Sequence, residues 1–326
     1  MKAEILRILK ETPGYVSGQQ LCERLGVSRT MVWKAIRQLE KEGCQIQAVR
    51  NRGYCLMDQG DVLTEAELKS VLDTEWLGKK LVCFDETDST NIRARRLAEE
   101  GAPHGTLVVA ERQTAGRGRR GRNWDSPAGS GIWFSMMLRP EIEPVHASMI
   151  TLVAGMAVVK GIEEVTGLKP MIKWPNDAVL NGKKISGILT EMSTEEDSVR
   201  YVVVGVGMNI NTETFPEELE GLAASLKTEA GREFRRSLVL GAVCRAFETY
   251  FEIFQRDRSM EGLMEEYNRM LVNLDRQVCV LDPKGEYTGT ARGIDRQGSL
   301  LVEKEDRTVI PVISGEVSVR GIYGYV

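Results

Sequence analysis

The 326-residue sequence is short of the side chains on which much enzyme chemistry relies. Histidine occurs only at His104 and His146, and neither sits in an H-E-x-x-H or Cys/His zinc spacing. The six cysteines, Cys22, Cys44, Cys55, Cys83, Cys244 and Cys279, form no C-x-x-C pair. With no export signal evident, reduced and partly buried thiols are expected. No Walker A sequence G-x-x-x-x-G-K-[ST] is present, and no Ser-His or Cys-His pairing is recognisable. The longest near-unbroken apolar stretch, residues 149–159, is eleven residues long. A membrane-spanning helix needs roughly 20, so no span is expected. The first ten residues alternate charged and apolar types rather than forming a signal-peptide core, which makes the cytoplasm the expected location. Hydrophobic residues at 42% and charged residues at 28% exclude a disordered, collagenous or low-complexity chain. The length exceeds the ~100–200 residues of one domain, so two or three are expected.

The formal charge of −4 is unevenly spread. Residues 1–57 carry ten lysines and arginines against five acids, a net of +5, whereas the remainder carries 33 against 42, a net of −9. A basic module attached to an acidic body follows, and only the module suits nucleic acid.

That module reads as a winged helix-turn-helix. Ile5, Leu6 and Leu9 mark a first amphipathic helix that ends before Pro13-Gly14. Ser17-x-x-Gln20 is a capping box for a second helix, and Gly26 ends it. Ser28 caps a third helix on which Val32, Ala35, Ile36 and Leu39 form an apolar stripe. Arg29, Thr30, Trp33, Lys34 and Arg37 are its candidate DNA-contacting residues, the last four lying within about 100° of one another on the opposite face. Residues 45–57 read as a hairpin whose tip offers Arg50 and Arg52 to phosphates. A plain packing or oligomer-contact module is the alternative.

The body interleaves strands and helices. Strands are expected at residues 80–84, 106–111, 131–138, 178–180, 184–192 and 201–210. Helices are expected from the Thr64-x-x-Glu67 cap to Leu72, from Ser89 to Glu100, and at residues 147–166, 235–256 and 259–271. Asn181-Gly182 marks a hairpin, and such hairpins preclude a purely parallel doubly wound sheet. From about Arg276, five short strands in some fifty residues suggest a small barrel, with turns at Asp282-Pro283-Lys284-Gly285 and Gln297-Gly298.

One loop is anomalous in an acidic body. Arg112, Arg117, Arg119, Arg120 and Arg122 occur within eleven residues with no acid among them. Gly116-x-Gly118-x-x-Gly121 matches the dinucleotide fingerprint in letters but opens no helix, running instead toward Pro127 and Gly129. A flexible cationic loop that wraps a phosphate-bearing ligand fits better, with glycine amides and guanidinium groups as donors. Trp124 at its end offers a flat face to a base. A second nucleic-acid patch or a solvated basic loop is the bland alternative. Lys173-Trp174-Pro175-Asn176-Asp177 and Lys184 flank the Asn181-Gly182 turn, which brings Lys184 near Asp177. A lysine so placed stabilises charge that develops in phosphoryl or adenylyl transfer; a surface ion pair is the alternative. Ser89-Thr90-Asn91 reads first as a helix cap, and also as a holder, with Gln113, for a urea or amide head.

The order of Asp88-Ser89-Thr90-Asn91, Gly116-Arg117-Gly118-Arg119-Arg120-Gly121, Lys173-Trp174-Pro175-Asn176-Asp177 and Lys184-Ile185-Ser186-Gly187-Ile188-Leu189 behind a helix-turn-helix closely resembles the biotin–protein ligases. The likeness is to the bifunctional bacterial kind that also represses the biotin operon. It extends to Arg292-Gly293-Ile294-Asp295 and Ser314-Gly315-Glu316-Val317-Ser318. The resemblance implies an α+β chain of three domains: a winged helix-turn-helix at 1–60, a mixed α/β catalytic domain at 61–274 similar to class II aminoacyl-tRNA synthetases, and an SH3-like β-barrel at 275–326. It implies that biotin and ATP with Mg2+ give biotinyl-5′-adenylate, whose biotinyl group passes to a lysine of a carboxylase's biotin carboxyl carrier domain. The adenylate is the implied corepressor on operator DNA, with a ligand-promoted homodimer. Implied biotin contacts are Ser89, Thr90, Asn91, Gln113, Arg117, Gly118, Arg119, Lys184 and Gly187. Implied nucleotide contacts are Trp124, Asn176 and Asn209. Lys184 and Arg119 carry the catalytic role, and Asp177 orients Lys184 or a magnesium ion. The loops around residues 116–121 and 212–225 are expected to fold over the labile anhydride. A biotin-sensing repressor without ligase activity and a ligase that no longer binds an operator are the other classes.

Overall fold

Three helices and a two-stranded wing open the chain: α1 (Lys2–Glu11), α2 (Gly18–Leu25), α3 (Arg29–Lys41), β1 (Gln45–Val49) and β2 (Gly53–Asp58). The computed structural model describes every residue except Gln59, Asp197, 283–284, 314–317 and 322–326. Two expectations therefore lie outside the described residues: the Pro283-Lys284 part of one turn and the 314–317 part of the C-terminal motif. The caps act as their spacing requires. Ser17 Oγ accepts from the Gln20 amide while Gln20 Oε1 accepts from the Ser17 amide, and Gly26 closes α2 in the left-handed conformation. Ser28 Oγ accepts from the Met31 amide at the start of α3. Leu6, Leu21, Ile36 and Leu39 are buried at the centre of this module, each worth about 1.5–3 kcal/mol.

The first compact unit spans Met1–Asp73 together with Arg235–Gly241. It includes α4 (Glu65–Val71), whose buried Glu67 gathers a charged cluster. Glu67 accepts from Lys10 Nζ at 2.7 Å, Arg235 Nη2 at 2.8 Å and Ser237 Oγ at 2.7 Å. Burial draws the Lys10 ammonium below its ordinary value, against the opposing pull of Glu67. Arg236, 1% exposed, is held by Asp61 Oδ2 at 2.7 Å.

The second unit is Thr74–Phe234 with Ala242–Val326. Its main sheet contains β3 (Leu81–Thr87), β4 (Thr106–Gln113), β5 (Gly131–Leu138), β6 (Met171–Lys173), β7 (Asp177–Leu180), β8 (Lys183–Glu195) and β9 (Ser198–Asn209). The spatial order is β3-β4-β5-β9-β8-β7-β6. Only β3 and β4 pair in parallel and the other ladders are antiparallel, so the sheet is mixed. Helix α5 (Thr90–Glu99) packs on β4, β5 and β9, whereas α6 (Met149–Thr166) packs on β6, β7 and β8. The Asn181-Gly182 turn has φ of 51° and 79° at its two central residues, the pairing that a two-residue hairpin favours. The helical segment Pro144–Thr166 is long and apolar enough to cross a membrane by length and composition. Its most apolar window is 78% buried within the protein, as a core helix of this sheet requires.

Helices α7 (Leu226–Ala230), α8 (Arg236–Asp257) and α9 (Met264–Met270) follow. The last is shorter than the helix expected over 259–271. The C-terminal strands β10 (Gln277–Leu281), β11 (Tyr287–Ile294), β12 (Leu300–Glu303), β13 (Val309–Val312) and β14 (Ser318–Gly321) form an antiparallel sheet in the order β13-β12-β11-β10-β14. All six cysteines are free thiols. Burial pushes the Cys44 thiol up to about 11, helped by Glu67 and Glu42.

Candidate functional site

Strand ends from across the main sheet and the start of α5 converge on one cleft. Ser89, Thr90, Asn91, Gln113, Arg117, Gly118, Arg119, Trp124, Asn176, Lys184 and Gly187 line it, all of them singled out from the sequence. Ser89 is the N-cap of α5, yet its hydroxyl makes no capping bond. The simple capping explanation therefore fails, and the buried hydroxyl is available to the cleft. The Thr90 amide donates to Gln113 Oε1 at 2.8 Å, and Gln113 Nε2 donates to Ser126 Oγ at 2.9 Å.

The arginine-rich loop is closed by its own backbone rather than loose. The Gly118 amide donates to the Arg122 carbonyl at 2.7 Å and the Trp124 amide to the Gly116 carbonyl at 3.0 Å. Arg120 sits at φ 57° in the 3-10 turn between them. A Cβ on Gly116 would lie 2.3 Å from the Trp124 carbonyl, so only glycine permits this closure. Arg120 and Arg122 are exposed, Arg117 is exposed at the cleft, and Arg119 is partly buried and donates to Asn176 Oδ1 at 2.8 Å. Burial draws the Arg119 guanidinium below its ordinary value, Asp177 opposes that shift and Arg120 adds to it. It stays protonated regardless.

Lys184 is the focus of charge. Its Nζ lies 2.6 Å from Asp177 Oδ1 and 5.2 Å from the centroid of the Trp124 ring. The lysine is 25% exposed and Asp177 13%, so this is not the solvent-screened surface pair that a hairpin often carries. Trp124 lies flat on the sheet because β8 and β9 offer glycines there. A Cβ on Gly187 would come within 2.8 Å of the ring and one on Gly207 within 2.5 Å. The Trp124 indole N–H is buried without a partner among the described residues. Asp88, beside Ser89, is pushed up by burial, but the Ser89 amide, the Thr87 hydroxyl and Arg93 outweigh this and hold its carboxyl below the ordinary value.

Asn209 does not line the cleft. Its Nδ2 donates to the Ala224 carbonyl at 3.1 Å and so fixes a segment that pairs in parallel with Lys184. That segment is anchored on Lys184 itself: the Lys184 amide donates to the Leu222 carbonyl at 2.8 Å, and the Ala224 amide donates to the Lys184 carbonyl at 2.9 Å. Sequence reasoning missed Ser135, Ser126, Glu191, Gly205 and Gly207. Ser135 was detectable as the one polar residue in β5, G-I-W-F-S-M-M-L, and Gly205-x-Gly207 as glycines inside an apolar strand. Among the described residues no group of three or more His, Cys, Asp or Glu is placed to hold a metal ion.

On α3, Arg29, Thr30, Trp33, Lys34 and Arg37 are all exposed, Trp33 at 50%. Arg37 stacks over the Trp33 ring at 5.7 Å and pairs with Glu40 at 3.0 Å. Arg50 and Arg52 are exposed at the wing tip, with Arg52 5.7 Å above the Tyr15 ring.

Known proteins agree with this division. The biotin/lipoate A/B protein ligase family matches residues 83–209, an HTH domain matches 2–55, and the biotin protein ligase C-terminal domain matches 274–320. The chain is 43% identical over 299 residues to the bifunctional ligase/repressor BirA of Bacillus subtilis, covering 90% of each. It is 31% identical to BirA of Escherichia coli, covering 93% of this chain and 92% of the relative. The structure of biotin protein ligase from Aquifex aeolicus in complex with biotin and ATP superposes with a TM-score of 0.66 at 33% identity, over 74% of this chain and 99% of the other. A helix-turn-helix ahead of a ligase core and its C-terminal domain, shared along nine-tenths of two such relatives, places this chain in the biotin–protein ligase family, among its bifunctional ligase/repressors.

Proposed function

We propose that this protein condenses biotin with Mg-ATP to biotinyl-5′-adenylate and pyrophosphate, then transfers the biotinyl group to a lysine of a biotin carboxyl carrier domain. The observation that carries this reading is Lys184, held at 2.6 Å by Asp177 inside a cleft that also presents Arg119. A sensor that only bound biotin needs neither the lysine nor its carboxylate. Lys184 and Arg119 neutralise the biotin carboxylate and the α-phosphate as the two anions approach, a preorganised electrostatic role that needs no protein nucleophile. Asp177 orients Lys184. Magnesium enters with the ATP phosphates. Ser89, Thr90, Asn91, Gln113, Arg117, Gly118 and Gly187 hold biotin, and Trp124 and Asn176 receive the nucleotide. Asn209 acts from behind, through the segment it fixes over Lys184.

The same chain represses biotin-synthesis genes, with the adenylate as corepressor. Arg29, Thr30, Trp33, Lys34 and Arg37 meet the major groove, and Arg50 and Arg52 the flanking phosphates. The working modules are residues 1–60, 61–274 and 275–326, and the active repressor is a ligand-promoted homodimer in the cytoplasm. The test is pyrophosphate release and biotinyl-AMP detection after pure protein is mixed with biotin and Mg-ATP. Adenylate formation, then biotinylation of an added carrier domain, is expected. Biotin binding without adenylate would instead make the protein a sensor–repressor.

A further inference from the structure

A second recess opens beside the cleft, and of its residues only Arg117 has a part in the reaction above. Ile92, Arg95, Arg96 and Glu99 line it from α5, Arg117 from the arginine loop and Tyr201 from β9. The four helix residues stand at i, i+3, i+4 and i+7 and so share one face, while Ala94 and Ala98 are buried on the other against the sheet. Ile92 and Tyr201 supply the apolar part of the recess. Glu99, the one acid in the lining, is engaged within the fold: Tyr201 Oη donates to its Oε1 at 2.6 Å, and Arg200 Nη1 lies 2.7 Å from its Oε2. Arg95 and Arg96 are not held in this way. The carboxylates they face, on Glu191 and Asp88, lie at 3.7 and 3.9 Å, beyond hydrogen-bond range, and the two arginine side chains are 50% and 59% exposed.

Three features say what this recess takes. Three arginines against one neutralised acid select an anion, and free guanidinium N–H groups suit the carboxylates of Asp and Glu. The recess is also short and partly apolar, and the chain from residue 58 onward carries 33 cations against 42 acids, a net of −9 that repels a long polyanion such as nucleic acid. An acidic patch of a few residues on a folded protein is drawn in by the arginines alone. Finally, Arg117 lines both the recess and the cleft, so whatever docks in the recess stands at the mouth of the cleft. We propose that the α5 recess is the docking surface for an acidic patch on the carrier domain, and that it holds the acceptor lysine at the cleft during biotinyl transfer. The inference rests on the ligase reading, which requires a protein acceptor at this cleft. Arg95 and Arg96 take no part in activating biotin. They act on encounter and orientation of the carrier, an electrostatic contribution that salt screens.

The full-length chain loaded with biotinyl-5′-adenylate is mixed with a biotin carboxyl carrier domain, and transfer is followed in single turnovers at low and at high salt. Hydroxylamine, a small neutral nucleophile that needs no docking, serves as a second acceptor. The double variant Arg95→Ala/Arg96→Ala is expected to lower transfer to the carrier about tenfold at low salt, through a higher half-saturating carrier concentration rather than a lower limiting rate, and to converge on the wild-type rate as salt rises. Adenylate formation and the reaction with hydroxylamine are expected to stay within about twofold of wild type. If the double variant does not fold, Arg96→Ala alone reads the same effect, with an expected loss of about threefold at low salt. Unchanged transfer to the carrier, an equal loss with hydroxylamine, or a loss that salt does not narrow would each overturn the inference. So would weakened binding of non-specific duplex DNA, or weakened self-association, in a variant that still transfers to the carrier at the wild-type rate: the recess would then be a nucleic-acid surface or an interface between copies. Failure of the wild-type protein to form the adenylate would overturn the ligase reading itself.

Discussion

On α3, Lys34 and Arg37 stand in solvent, and Arg37 pairs with Glu40, one turn away on the same exposed face. In the cleft, Lys184 is fixed between Asp177 and the face of Trp124, and Arg119 is fixed by Asn176. The two regions hold cations for different tasks. Exposed cations on a helix and a wing act through a summed field: each contributes a little, each is screened by salt, and the loss of one is tolerated. A partly buried cation held by a carboxylate is already in position before charge develops on the substrate, so little reorganisation is needed at the moment of reaction. Such a cation is not replaceable by its neighbours. The glycines beneath Trp124 belong to the same design, since they let a large ring lie against the sheet beside the lysine.

The largest expected effect follows from this difference. Lys184→Ala is expected to lower biotinyl-adenylate formation by about a thousandfold with melting temperature little changed; a loss below tenfold would move Lys184 into the tolerant class. Glu67→Leu tests whether the N-terminal unit also contains irreplaceable charges. It leaves Lys10 and Arg235 without their shared carboxylate, and a loss of about 3 kcal/mol in urea unfolding is expected. Removing Arg50 and Arg52 together is expected to weaken DNA binding several-fold and to reduce the slope of log K against log salt by about 1.8, roughly 0.9 for each phosphate left without its cation. An unchanged slope would remove the wing from the interface. The smallest effect concerns His104. Burial holds its imidazole below the ordinary 6.5, assisted by Arg139, and its Nδ1 accepts from the Arg139 amide at 2.9 Å. The unfolded chain therefore binds the proton more readily. Stability is fully present above pH 6.5 and declines as pH falls from there through the folded-state value. His104→Gln is expected to flatten that part of a urea-midpoint profile between pH 5 and 7.

How much of this was legible in the sequence depends on the range of each interaction. The Ser17, Ser28 and Thr64 caps, Gly26 and the α3 stripe act within one or two helical turns, and all appear where local spacing places them. β5 runs from Gly131 to Leu138 as its apolar pattern requires. The Lys184–Asp177 pair was legible because a two-residue turn separates its strands. The hydrogen bonds that join Glu191, Asn91 and Ser135 were not. Asn91 and Glu191 are a hundred residues apart and meet only once the sheet has formed. The closed backbone of the arginine loop was hidden for a related reason: glycine signals freedom until the Trp124 carbonyl is seen against Gly116. The bond from Asn209 to the Ala224 carbonyl was hidden as well, because it joins residues on separate segments that meet only in the folded chain.

The segment over Lys184 is tied down at two points, by backbone bonds at Leu222 and Ala224 and by the Ser225 hydroxyl on the Thr212 carbonyl at 2.6 Å. Between these knots, residues 213–221 carry ties of their own: Glu213 pairs with Lys227, and the Leu219 carbonyl accepts from the Leu222 and Ala223 amides at 3.0 Å each. A peptide spliced into this span leaves the lysine where it stands only if the insertion spares Leu219 and the bonds at Leu222 and Ala224.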